Sequence, residues 1–152
     1  MKGRGRVDGR RGGGRRPKRG GRISGGGVLA REYLSALHVL GGYGFYFRNG
    51  NKEELLLGPY VGAPTDHTVI PFGKGICGQV AVSNQNFVVP DVAAQDNYIA
   101  CSFTVKSEIV VPLFMNGENI GQIDIDSNFL DPFTEADERF LEFVNSKIAK
   151  LF

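Results

Sequence analysis

Residues 1–27 carry ten Lys and Arg, one acid (Asp8) and eleven of the chain's 22 glycines. Val7 and Ile23 are their only sizeable apolar side chains. Such a segment buries too little surface to offset the entropy of ordering its backbone. The fold therefore has to be built by residues 28–152, a length that suffices for a single hydrophobic core. The expected organisation is a disordered Gly/Arg-rich tail over 1–27 and one domain over 28–152. The formal net charge of +2 averages a tail at +9 and a remainder at −7. Arg/Gly tails bind RNA through phosphate charge. This one has no Phe or Tyr to stack on a base, so a nucleic-acid partner is expected only if the tail itself is functional.

No run of about 18 apolar residues exists, which argues against a membrane-spanning helix. The N-terminus lacks the apolar stretch of a secretory signal. Two cysteines are too few for a disulfide-stapled scaffold. A soluble, cytoplasmic protein is expected.

Leu29, Tyr33, Leu37 and Leu40 recur at helical spacing, predicting a short helix over 28–38 that Gly41-Gly42 ends. GYGFYFR and KEELLLGPYV read as strands flanking the turn signal Asn49-Gly50. A short helix opens near Gly75, and QNFVVP is a strand stopped by Pro90. SEIVVPLFM and NIGQIDID flank a second hairpin signal, Asn116-Gly117. Thr134 with Asp137 forms a capping box for a last helix whose apolar face is read as Phe140, Val144, Ile148 and Leu151. Adjacent hairpins with few helices indicate an α+β domain with an antiparallel sheet.

The groups able to carry chemistry are Cys77, Cys101, His38, His67, Glu108, Asp124 and Asp126. Their spacing fits no metal-binding pattern, so no metal or other cofactor is expected. Cys77 lies at a helix start, where backbone N–H groups lower a thiol's pKa; the alternative is a small buried thiol filling the core. Asp124 and Asp126 share one face of their strand and Ile123 and Ile125 the other. Alternation alone sends the aspartates to water and the isoleucines to the core. The position of Glu108 depends on the hairpin. A two-residue turn in unbroken register sets it opposite Ile125; a one-residue bulge sets it opposite Asp126, on the aspartate face. Three acids together repel, which raises at least one pKa and creates a proton donor near neutrality.

Seven motifs occur in order: GFYF (44–47), LGPYVG (57–62), IPFGKGICG (70–78), NYIACS (97–102), SEIVVPLF (107–114), IGQIDIDS (120–127) and FTEAD (133–137). Together they resemble the GAF-domain family of free methionine-(R)-sulfoxide reductases over residues 41–152. The resemblance implies a six-stranded antiparallel sheet with helices packed mainly on one face, often dimeric through the terminal helices. It implies free methionine (R)-sulfoxide as substrate and a thioredoxin-like dithiol as reductant. By the same resemblance Cys101 is the nucleophile, which becomes a sulfenic acid; Cys77 is assigned as the thiol that condenses with it to a disulfide, the alternatives being the reverse order of the two cysteines and an external resolving thiol. Glu108 or Asp126 is the implied proton donor. Asp124 and Asp126 hold the substrate, and Tyr46 belongs to the pocket wall. The chain departs from the family at His67, which stands where a third cysteine is common, and in having no Trp. The rival reading is a GAF module that binds a small molecule, or senses redox state, without catalysis.

Overall fold

The computed structural model describes residues 41–99 and 103–152. The tail over 1–27, the helix expected over 28–38 and Cys101 lie outside the described residues.

Among the described residues six strands form one sheet: β1 (Gly42–Arg48), β2 (Glu54–Gly62), β3 (Val69–Pro71), β4 (Phe87–Val89), β5 (Ser107–Met115) and β6 (Glu118–Ser127). Their spatial order is β3-β2-β1-β6-β5-β4, and every neighbouring pair is antiparallel. The expected six-stranded antiparallel sheet is therefore present. Helix α1 (Gly75–Ser83) and helix α2 (Glu135–Ile148) complete the described fold. Neither is long and apolar enough to cross a membrane.

Two apolar clusters sandwich the sheet. On one face Phe45, Ile109, Val111, Leu113, Ile123 and Ile125 meet Leu141, Val144 and Ile148 of α2. On the other, Tyr46, Leu55 and Val110 meet Ile76, Cys77, Val80 and Ala81 of α1. So the two described helices take opposite faces, and both faces of β5 and β6 are covered. This corrects the expectation that Asp124 and Asp126 face water. β6 is not a half-buried strand, because α1 crosses the face its aspartates occupy.

The β5–β6 hairpin turns at Asn116-Gly117 with Met115 opposite Glu118. Phe114 then pairs with Asn119 but Leu113 with Gly121, leaving Ile120 as an extra residue. From there the ladder sets Glu108 opposite Asp126. The bulged alternative is the one the chain adopts. Gly121 is required beside it: a Cβ there would lie 2.4 Å from the carbonyl oxygen of Tyr46. The first hairpin is looser than its Asn-Gly signal suggests, since Asn49 N–H bonds to Glu54 O across a longer loop.

In α2 the capping box forms as expected, with Thr134 N–H donating to Asp137 Oδ2 at 2.8 Å. The buried stripe is Leu141, Val144, Asn145 and Ile148. Phe140 packs only at its margin, and Leu151 is half exposed. The helix tightens into a 3-10 turn over Ala149–Leu151, which swings Leu151 off the expected face.

The corrected stripe makes a direct prediction. Leu141→Ala should lower unfolding stability by about 2–5 kcal/mol. Leu151→Ala should change it by less than about 0.5 kcal/mol. Urea denaturation of both variants checks this.

Candidate functional site

Period two along β6 puts Gln122, Asp124 and Asp126 on the face that α1 covers. β1 lies beside them with Tyr46 opposite Gln122, Gly44 opposite Asp124 and Gly42 opposite Asp126. On the other side β5 contributes Glu108, directly opposite Asp126. Above this floor the first turn of α1 delivers Cys77. Its Sγ donates to Asp124 Oδ2 at 3.3 Å. Gln122 Nε2 donates to the Cys77 carbonyl at 3.0 Å and fixes that turn against the sheet.

A pocket opens beside the cluster. Its walls are Tyr46, Leu57, Tyr60 and Val105 with glycine backbone of β1 and β2, and Asp124 and Asp126 reach into it. Glu108 and Cys77 do not line the pocket and are buried. The Tyr46 hydroxyl donates to the His67 carbonyl at 3.0 Å, so the ring stands as a fixed wall. The sequence singled out five of these residues, Tyr46, Cys77, Glu108, Asp124 and Asp126, and the fold brings all five together. Gln122 and Tyr60 were missed. For Gln122 a signal existed, since it continues the alternation of the two aspartates.

Burial pushes the Cys77 thiol well above its ordinary value, and the charges of Asp124 and Glu108 push further in the same direction. This corrects the expectation of a thiol made acidic by its helix start. The helix end favours a thiolate, but full desolvation and neighbouring carboxylates outweigh that effect here. Glu108 is likewise raised, by burial first and then by Asp124 and Asp126. Asp126 is pushed up to about 8 by burial and by the Asp124 charge. Burial lifts Asp124 to about 6, opposed by hydrogen bonds from Cys77 and Glu108. As pH rises, Asp124 therefore ionises before Asp126, and the Glu108 carboxyl and Cys77 thiol beside them hold their protons more tightly than usual. The ligand atoms of Cys77, Glu108 and Asp124 lie within 4.8 Å of one another, a spacing that also suits a metal ion. The linear spacing of Cys and His concealed that arrangement.

Asp124 Oδ1 and Asp126 Oδ1 are buried and accept no hydrogen bond among the described residues. Unsatisfied buried acceptors are costly. Both belong to residues lining the pocket, so a ligand with cationic N–H donors would satisfy them.

Residues 28–151 match the GAF domain family. The free methionine-R-sulfoxide reductase of Saccharomyces cerevisiae is 43% identical over 126 residues, covering 82% of this chain and 67% of that protein. The type II free methionine-R-sulfoxide reductase of Thermoplasma acidophilum superposes with a TM-score of 0.75 at 33% identity, covering 82% of this chain and 86% of that one. The Neisseria meningitidis free methionine-R-sulfoxide reductase, solved with its substrate, gives 0.74 at 37% identity, covering 84% and 83%. The chain belongs to the GAF-domain free methionine-R-sulfoxide reductase family. It spans 60 to 67% of the length of the curated relatives it matches. Within this family the acidic cluster is the feature to weigh, because a GAF sheet alone does not specify chemistry.

The proton affinities have a consequence for stability. Asp124 and Asp126 bind protons more tightly folded than unfolded. Their contribution is therefore complete below the ordinary carboxylate range and is lost as pH rises through about 6 and about 8. The urea midpoint should fall between pH 5 and pH 9. Asp126→Asn should flatten that fall and exceed wild type at the alkaline end.

Proposed function

We propose that the chain reduces free methionine (R)-sulfoxide to methionine. The observation that carries this reading is the pair of unsatisfied buried acceptors on Asp124 and Asp126 beside Glu108, whose proton affinity burial and the two aspartates raise. One arrangement offers a seat for an ammonium group and a proton for a departing oxygen.

In this reading Asp124 and Asp126 accept hydrogen bonds from the substrate ammonium. The pairing is strengthened where water is excluded. Tyr46 and Leu57 flank the apolar part of the substrate. Cys101 is the nucleophile. The raised proton affinity of Cys77 argues against Cys77 in that role, since attack needs a thiolate. The Cys101 thiolate attacks the sulfoxide sulfur while the oxygen takes a proton that Glu108 supplies through Asp126, which stands opposite it and lines the pocket. The sulfoxide is reduced by two electrons to methionine, and the oxygen ends on Cys101 as a sulfenic acid. Cys77 then condenses with it, water leaves and a disulfide forms. Asp124, at 3.3 Å, is placed to take the Cys77 proton in that step. A thioredoxin-like dithiol reduces the disulfide and becomes oxidised itself.

The test is NADPH consumption coupled through thioredoxin and its reductase. The (R) epimer of free methionine sulfoxide should turn over and the (S) epimer should not. Cys101→Ser should abolish turnover. Glu108→Gln, which keeps the shape and removes the transferable proton, should lower kcat by about 10²–10⁴. KM should fall as pH rises through about 6, because Asp124 ionises there and gains its hold on the ammonium. A folded protein that turns over neither epimer, even with dithiothreitol, would overturn the proposal.

A further inference from the structure

Helix α1 opens without a cap of its own: Lys74 at its N-cap offers no side-chain hydrogen bond. The first N–H groups of a helix need partners from elsewhere. Here the partner comes from a different stretch of chain. Asn97 Oδ1 accepts from Gly75 N–H at 3.1 Å, and Asn97 Nδ2 donates to the Gly73 carbonyl at 2.8 Å. Gln79 Nε2 donates both to the Gly75 carbonyl at 3.0 Å and to the Asn97 carbonyl at 3.4 Å. Ile99 presses on the same turn: a Cβ on Gly75 would lie 3.1 Å from Ile99 Cγ1. Gly75 also has φ of +61°, which a side chain disfavours, so this contact is built around a glycine.

We propose that Asn97 is a positioning residue that ties the chain leading to Cys101 onto the helix turn that carries Cys77. The consequence for catalysis rests on the reductase reading above. Asn97 precedes Cys101 by four residues, and Gly75 precedes Cys77 by two. A disulfide requires Cα atoms within about 7 Å, so both segments need a common anchor. Asn97 supplies it by acting as acceptor and donor at once to the two sides of Lys74. It touches no reacting atom. Its role is to shorten the search of one thiol for the other.

The experiment uses the full chain and compares wild type with Asn97→Leu and Asn97→Gln. Asn97→Gln keeps both the amide acceptor and the amide donor and serves as the conservative control. In one arm, a single turnover with free methionine (R)-sulfoxide and no reductant is followed by mass. Methionine release reports the first step, loss of two hydrogens reports the disulfide, and a dimedone adduct on Cys101 reports sulfenic acid that has not condensed. In the other arm, diamide oxidises the two thiols of substrate-free protein to the disulfide and is itself reduced to the hydrazine. The expected result is disulfide formation about tenfold slower in Asn97→Leu in both arms, with methionine release unchanged. Asn97→Gln should stay within about threefold of wild type. Disulfide formation at the wild-type rate in Asn97→Leu would overturn the proposal, as would an Asn97→Gln no faster than Asn97→Leu. Absence of methionine release from wild type would count against the reductase reading alone, and the diamide ordering would still decide the role of Asn97.

Discussion

The extra residue at Ile120 shifts the β5–β6 ladder by one position, and the acidic site depends on that shift. Without it Glu108 would stand opposite Ile125, on the face packed against Leu141 and Val144 of α2. A carboxyl there would be buried among apolar side chains with no partner, a costly placement. With it Glu108 stands opposite Asp126 on the α1 side. Gly121 next to the bulge admits the backbone of Tyr46 at close range, and Tyr46 in turn walls the pocket. Register, close approach and site geometry are thus one constraint expressed in three places.

Burial then sets the chemistry. Four ionisable groups share a small, largely buried volume, and they cannot all be charged. The arrangement resolves this by letting Asp124 ionise before Asp126, beside groups that hold their protons more tightly than usual. Such a cluster is poorly satisfied when empty and well satisfied by a cationic ligand. It also separates roles between the cysteines. Cys77 is held as a hydrogen-bond donor to a carboxylate, which suits a thiol used second rather than first.

Much of the sheet was legible in local signals. Asn116-Gly117 located the main hairpin, and the alternation of IDID located β6. The capping box of Thr134 and Asp137 located α2. The burial of Asp124 and Asp126 was not legible, because a strand covered on both faces and a half-buried strand can show the same alternation. What covers them is α1, and six of its nine residues are buried, so it has no amphipathic stripe to announce its position. The depth of Cys77 was hidden for the same reason: a helix start suggests an acidic thiol only while the carboxylates packed against it are unknown. The bulge was legible only as one of two registers. The choice between them needed the fold, or the resemblance that placed Glu108 with the aspartates. Asn97 was legible only as the first residue of the NYIACS motif, since its side-chain partners lie more than twenty residues away.

The central claim is that the empty cluster stores protons where the substrate ammonium binds. It is tested most directly by calorimetry on Cys101→Ser with free methionine (R)-sulfoxide near pH 7, in two buffers of different ionisation enthalpy. Asp126, raised to about 8, is mostly protonated in the empty pocket. Seating an ammonium beside it should expel that proton, so the apparent binding enthalpy should differ between the buffers by the amount for proton release. Binding with the same enthalpy in both buffers, or no binding at all, would contradict the account.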